Sequence, residues 1–347
     1  MHLIPGLRPL YRINTVLAPA SEYAPVTRDQ TGGFAKEMLG EARFEEFLLR
    51  RDMDFSTEAH PAGRFRVNAH FQQNAIAIAF RAIPAKPPEL PQLNLPPDIQ
   101  SFAELPRGLV LVTGQTGHGK STTLAAMVEH INRKFSRHVI TLEDPIEYEL
   151  PSNMSVIEQR ELGSDVPSFA SGLKHALRQD PDMIMVGEMR DLETTSAAIT
   201  AAETGHLVLS SMHTQNSAQT VERIVDLYPG EQQGQIRSML SNTLQAVVSL
   251  MLFKRIDTEG MIPACEIMIC NAAVRNCIRT NRIHEIPNII QTGASAGMCT
   301  LDDSIKALCR SGKIGRDQAL SQAARPDSMD STLGRLDLPI EASPVGV

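Results

Sequence analysis

Apolar positions in this chain follow two rhythms. Leu109–Thr113 (LVLVT) is a short, almost wholly apolar run, as expected of a parallel strand buried on both faces. From Ser121 onward, Leu124, Met127, Val128 and Ile131 recur at helical spacing. The alternation then repeats. His138–Glu143 (HVITLE) reads as a strand and is followed by a helix ending near Gln179. Met183–Val186 (MIMV) reads as the next strand, Leu192–Glu203 as a helix and Leu207–Met212 (LVLSSM) as a further strand. This order predicts an α/β fold with a mostly parallel sheet and right-handed crossovers. Pro229 opens a predicted long amphipathic helix, with Ile236, Met239, Leu240, Leu244 and Val247 on one stripe.

The pattern before residue 87 is different. Arg64–Ala69 alternates, as do Ile76, Ile78 and Phe80, which predicts a pair of half-buried strands after an amphipathic helix over Glu41–Arg51. Arg64, Arg66 and Arg81 would project from the polar faces of these strands, where solvation alone accounts for them. Pro84–Pro97 (PAKPPELPQLNLPP) is proline-dense without periodicity and reads as a stiff, extended linker. The expected organisation is a strand-rich domain over 1–86, a linker over 87–98, an α/β domain over 99–325 and a disordered tail over 326–347.

Composition narrows the function classes. A net charge of −7 and few aromatic residues argue against nucleic-acid coating or translocation. Five cysteines without C-x-x-C spacing fit reduced thiols in a cytosolic protein better than disulfides or a zinc ribbon. The opening MHLIPGLRPLYR lacks a signal-peptide core, and no run is long enough to span a bilayer. The expected place is therefore cytoplasmic, with any membrane association made through a partner.

Between the first strand and helix, Gly114–Ser121 spells G-x-x-x-x-G-K-S. Strand, glycine loop and helix together make this a phosphate site. Gly114, Gly117 and Gly119 let successive N–H groups converge on one phosphate chain, with the helix start adding its own unpaired donors. The loop residues Gln115, Thr116 and His118, and Thr122 just beyond, complete the predicted cradle. Lys120 is expected against the β- and γ-phosphates of ATP, and the Ser121 hydroxyl on Mg²⁺.

In open α/β sheets the ligand lies beyond the carboxyl ends of the strands. HVITL delivers Glu143-Asp144-Pro145-Ile146-Glu147 there, MIMV delivers Gly187-Glu188, and LVLSSM delivers His213-Thr214. Gly187 sits where an aspartate usually holds the metal, so Mg²⁺ is expected through water or on Glu188 itself, with Glu143 or Glu147 nearby. Glu147 and Glu188 are the two candidates to orient a nucleophilic water and accept its proton. Asp144 and Asp191 read equally well as helix caps. His213 could sense the γ-phosphate, whereas His206, just before the strand, is as readily a structural group.

These segments resemble a known family. EDPIE at 143–147, DPDMIMVGEMRD at 180–191 and TAAETGHLVLSSMHT at 200–214 are similar to the Asp box, atypical Walker B and His box of the secretion-superfamily ATPases. AVRNCIRTNRI at 273–283, with IQTG and GMCTLDDSIKAL after it, resembles the pilus retraction ATPases that drive twitching motility. The likeness runs from about Phe65 to Arg325, without the tetracysteine insertion of many assembly and type II secretion ATPases.

The resemblance implies a RecA-like P-loop core preceded by a small PAS-like α+β domain. It also implies a homo-hexameric, Mg²⁺-dependent ATPase driving pilus retraction at the inner-membrane base of the pilus machine. Its partners would be an inner-membrane platform protein and, in one variant, a second retraction ATPase. Lys120 and Ser121 would hold ATP–Mg²⁺, Glu147 and Glu188 would be the catalytic acids, and His206 and His213 the histidine box. Arg66 and Arg81 would reach the nucleotide. The chain departs from the family pattern at Gln115 and His118, where Pro and Ser are usual, and at Asn74, where Arg is common. The family's opening Ser-Asp-Leu-His segment is not found before Pro5, which reads as a shortened start. The competing readings are an assembly or secretion ATPase and a weakly active scaffold.

Overall fold

The computed structural model describes residues 1–13, 16–84 and 86–334. They form two compact units, one of residues 1–86 with Pro145–Glu149, the other of residues 87–144 and 150 onward.

The first unit contains β1 (His2–Leu3), β2 (Leu10–Ile13), β3 (Val16–Pro19), α1 (Arg28–Arg50), β4 (Asp52–Ala59), β5 (Gly63–Gln72) and β6 (Ala75–Ala82). The strands make one antiparallel sheet in the order β3-β2-β1-β6-β5-β4. α1 starts with a capping box, in which Thr27 Oγ1 accepts the Gln30 N–H and Gln30 returns a bond to the Thr27 N–H. Gly40, at φ +71°, interrupts it, so the helix predicted from Glu41 is the second half of a longer, kinked one. Phe47, Ala35 and Leu39 bury against Phe55, Val67, Ala69 and Ile78 of the sheet. Alternation along β5 then leaves Arg64 and Arg66 on the opposite face.

The second unit opens with α2 (Asp98–Ala103), β7 (Gly108–Thr113), α3 (Lys120–Lys134), β8 (His138–Glu143) and β9 (Val156–Glu161). Next come α4 (Phe169–Ala176), β10 (Met183–Val186), α5 (Leu192–Glu203), β11 (Leu207–Met212), α6 (Ser217–Asp226) and α7 (Gln233–Thr243). The chain then makes β12 (Leu244–Lys254), β13 (Met261–Ile269), α8 (Ala272–Arg279) and α9 (Ile286–Thr292). It closes with α10 (Leu301–Arg310), α11 (Arg316–Gln322) and α12 (Pro326–Leu333). The sheet order is β13-β12-β7-β11-β10-β8-β9, parallel throughout except for the β12–β13 pair.

Its central strands are apolar on both sides because both faces are covered. Leu109 and Leu111 of β7, Ile184 and Val186 of β10, and Val208 of β11 pack beneath α5 to α9. Val110, Val112, Met183, Met185, Leu207 and Leu209 pack beneath α2 and α3, against Phe102, Leu124, Met127 and Ile131. The result is a helix–sheet–helix sandwich with a buried parallel centre.

Three expectations are corrected. The stripe through Leu244 and Val247 is not one helix: α7 ends at Thr243, and both residues belong to β12, the strand beside β7. The proline-dense segment is not simply extended, since Leu90 begins a 3₁₀ turn and is buried against the α3 side of the core. Residues 326–333, expected in a disordered tail, form α12, because Met329 and Leu333 are fully buried with Ile305 and Ala319. Residues 335–347 of that expected tail lie outside the described residues.

Candidate active site

β7 carries the chain to the carboxyl edge of the sheet, where Gly114, Gly117 and Gly119 take φ of +138°, +85° and +85°. Those left-handed values suit glycine and turn the loop back on itself. Gly114 is also held by space: a Cβ there would lie 2.5 Å from the Leu250 carbonyl oxygen of β12. Gly114→Ala should therefore cost about 1–3 kcal/mol of stability and weaken nucleotide binding, read by thermal melting and titration. An alanine variant with unchanged melting and affinity would mean that the loop tolerates this crowding. Gly119 is the N-cap of α3 and has no side chain to cap it, so the first N–H groups of the helix stay open to an anion.

Lys120 folds back into this loop. Its ammonium is largely buried and donates to the Gly114 carbonyl at 2.9 Å and the Gln115 carbonyl at 3.1 Å. It also stands 3.4 Å from His213 Nδ1. His213 Nε2 in turn lies 2.9 Å from Glu188 Oε2. An ammonium only donates and a carboxylate only accepts, so the chain runs from Lys120 to Nδ1 and from Nε2–H to Glu188. Arg190 engages the other carboxylate oxygen of Glu188. The ends of β10 and β11 are tied together here, since Ser211 Oγ donates to the Gly187 carbonyl at 2.6 Å and the Met189 N–H to the Ser211 carbonyl at 3.0 Å. Gly187 could not carry the usual aspartate without crowding, as a Cβ would sit 3.3 Å from the Leu142 carbonyl oxygen.

The structure thus brings Lys120, His213 and Glu188 together beside the loop. Ser121 is exposed in the first turn of α3, with Thr122 half-buried next to it. Gln115 and Thr116 are exposed, and His118 Nδ1 approaches the Leu250 carbonyl at 3.2 Å. Glu143 is buried and occupied by Thr141 Oγ1 at 2.6 Å and Gln159 Nε2 at 3.0 Å, which ties it to the sheet. Asp191 caps α5 through the Thr194 N–H at 2.8 Å.

His206 is not in this constellation. It precedes β11, at the amino edge of the sheet, where its carbonyl accepts the Gly108 N–H and Nδ1 sits 3.0 Å from the Ala201 carbonyl. The length of β7, roughly 20 Å at ~3.3 Å per residue, separates that edge from the loop. Glu147 lies in the short segment Pro145–Glu149, grouped with the first unit, whose residues 1–86 include Arg66 and Arg81. Those two arginines are direct cross-strand partners on β5 and β6. Sequence reasoning missed Arg190 and Ser211, although both stand within four residues of a strand end that it had singled out.

A triphosphate cradle at the end of one central strand, with an acid on the strand two places away, defines a P-loop nucleoside triphosphatase. The model of the type II/IV secretion system proteins matches residues 68–301, and the chain belongs to that family, of which it is an ATPase. It is 45% identical over 304 residues to the twitching motility protein of Neisseria gonorrhoeae, covering 88% of this chain and 81% of that one. It is 43% identical over 331 residues to the type IV pilus retraction ATPase PilT of Pseudomonas aeruginosa, covering 94% and 95%. Among solved structures it is similar to the pilus retraction motor PilT with bound ADP, at a TM-score of 0.89 and 38% identity over 95% of this chain and 94% of that one.

Proposed function

We propose that this chain is the ATP-driven retraction motor of a type IV pilus. The observation that carries the hydrolytic part is the Lys120–His213–Glu188 chain beside the glycine loop. The pilus part is supported by likeness, over nearly the whole chain, to proteins named for twitching motility and pilus retraction.

In this reading Lys120 exchanges its two carbonyl partners for the β- and γ-phosphate oxygens of ATP. Glu188 orients water and takes its proton as the water oxygen bonds to the γ-phosphorus and the bridging bond to ADP breaks. His213 holds the Glu188 carboxylate in place and reports on Lys120. The exposed Ser121 hydroxyl and the Glu188 carboxylate at the same sheet edge fit a magnesium ion that takes its remaining ligands from phosphates and water. Such an ion neutralises phosphate charge.

The motor works as a homo-hexameric ring on the cytoplasmic side of the inner membrane, bound to a platform protein at the pilus base. Among the described residues no helix is long and apolar enough to cross a membrane, which suits attachment through a partner. Nucleotide favours one arrangement of neighbouring subunits and hydrolysis releases it, so the ring turns chemical into mechanical change.

Arg66 and Arg81 supply a test. Like charges placed directly opposite on neighbouring strands repel, a cost that makes sense where an anion is to be held. If they stabilise charge developing on the γ-phosphoryl group, Arg66→Ala or Arg81→Ala should lower turnover roughly 10³-fold with little loss of affinity. Mixing either variant with Lys120→Ala protein should restore part of the activity if the arginines act on a neighbour's nucleotide, because some sites in mixed rings are then complete. No recovery on mixing would place them in their own subunit's site. Full activity in both single variants would remove them from the mechanism, and negligible wild-type hydrolysis would favour a scaffold.

A further inference from the structure

The hydrolytic chain leaves Glu143 unused, although Glu143 ends β8 beside the strand that delivers Glu188. Gly187, the residue before Glu188, donates its N–H to the Leu142 carbonyl at 2.8 Å, and a Cβ on Gly187 would come within 3.7 Å of the Glu143 Cα. Alternate residues of a strand share a face, so the Glu143 side chain lies with Val139 and Thr141 on the α3 side of the sheet. There its Oε1 accepts from Thr141 Oγ1 at 2.6 Å and from Gln159 Nε2 at 3.0 Å. Gln159, on β9, is the direct cross-strand partner of Thr141. Its carboxamide oxygen accepts the Leu150 N–H at 2.8 Å, so one side chain joins the two ends of the acidic segment Asp144–Glu149. Leu150 is buried in the core beneath α3. Just beyond it, the buried Asn132 of α3 donates to the Pro151 carbonyl at 2.9 Å and accepts the Asn153 N–H at 2.9 Å. The returning chain is thereby fixed to the helix that begins at Lys120.

We infer that Gln159 is a positioning residue for hydrolysis. Its carboxamide clasps the end of β8, fixing the edge against which Glu188 is presented and keeping the Glu143 carboxylate out of the site. The inference rests on the reading of Glu188 as the acid that activates water. The clasp needs a side chain that donates to a carboxylate and accepts from a backbone N–H at once, which a carboxamide does. A carboxyl group in its place would meet Glu143 with like charge. A methyl group would leave a buried carboxylate and a backbone N–H each short of one bond. The Leu142 carbonyl that receives the Gly187 N–H directly precedes Glu143, so movement of Glu143 passes to the start of the Glu188 turn through one hydrogen bond. Released, the Glu143 carboxylate would also be a second negative charge one strand away from Glu188, which changes the affinity of that acid for a proton.

The test measures ATP hydrolysis and equilibrium ATP binding on the full-length protein. Gln159→Ala should lower kcat by about 10²-fold, the effect of a small misplacement at a reacting centre, with ATP affinity kept within a fewfold because Lys120 and its loop are untouched. Gln159→Glu adds a signature in pH. At low pH the two facing carboxyl groups share a proton, whose O–H restores the bond to Glu143 while another oxygen accepts from Leu150. As pH rises from about 5 to 8 both groups ionise and repel, and the clasp opens. The ratio of kcat in Gln159→Glu to that of wild type should therefore fall across this range. Exchanging the partners in the double variant Glu143→Gln/Gln159→Glu returns a carboxamide facing a carboxylate. The Thr141 hydroxyl can accept from the new carboxamide as readily as it donated to Glu143. At pH 8 this double variant should recover about tenfold or more of the kcat lost in Gln159→Glu, and its added pH dependence should vanish. Unchanged kcat in Gln159→Ala, a flat ratio in Gln159→Glu or no recovery in the double variant would overturn the inference. So would loss of ATP binding in step with kcat, which is what general unfolding produces. Failure of the Glu188 reading shows separately, as undiminished turnover in Glu188→Gln.

Discussion

Replacing Lys120 by alanine should abolish ATP hydrolysis while leaving a folded protein. The ammonium is the one cation that the loop encloses, held by the Gly114 and Gln115 carbonyls at 2.9 and 3.1 Å. Those carbonyls draw it inward at the position where phosphate oxygens are expected. Charge that grows on the γ-phosphoryl group would lose its fixed counter-charge, an effect of roughly 10³-fold or more in rate. The structural cost is smaller. Truncation leaves two acceptors without their donor, about 1–3 kcal/mol for each that stays dry, and Gln115 is exposed enough for water to replace it. Phosphate release by purified Lys120→Ala should thus be near background while its melting temperature falls by only a few degrees. Lys120→Arg should not rescue it, because a planar guanidinium cannot occupy the space of a compact ammonium. Turnover within tenfold of wild type in the alanine variant would refute the phosphate-site assignment.

Much of the second unit was legible because its signals are local. An apolar strand, a loop whose glycines must adopt positive φ, and a helix with a four-residue stripe leave few alternatives, and β7, the loop and α3 follow them. β12 was misread for a physical reason. Leu244 and Val247 continue the helical spacing of Ile236 and Leu240, yet this strand is buried on both faces, so its residues are apolar whatever the period. The signal that separates the two is the run Ala246–Phe253, too continuous for one amphipathic helix face. α12 was missed because its burial needs partners from α10 and α11, which no local pattern supplies.

The site shows the same division. Glu188 and His213 follow strands at their carboxyl ends, and knowing the strand direction was enough to bring them to the loop. His206 precedes the same strand, so the same rule excludes it. Its place among the candidates came from the resemblance, which puts it in the histidine box with His213. Arg190 and Ser211 lie inside the quoted motif segments, but their bonds to Glu188 and to the Gly187 carbonyl depend on tertiary neighbours that no local pattern shows.

Glu188→Gln should trap the enzyme with nucleotide bound. The change keeps shape and volume in a side chain that is 13% exposed, and it removes the charge that takes a proton from water. It also disturbs the local bonding in a defined way. A carboxylate accepts from His213 on one oxygen and from Arg190 on the other, whereas a carboxamide accepts on one atom and donates from the other. One of the two contacts must therefore break or His213 must change tautomer, so the acid loses both its basicity and its fixed orientation. General-base catalysis is worth about 10²–10⁴-fold, and turnover should fall by that factor while ATP affinity stays within a fewfold. Single-turnover hydrolysis measured beside equilibrium binding separates the two quantities. Undiminished turnover in Glu188→Gln would transfer the role to Glu147, the other candidate for general base, and Glu147→Gln would then be the slow variant.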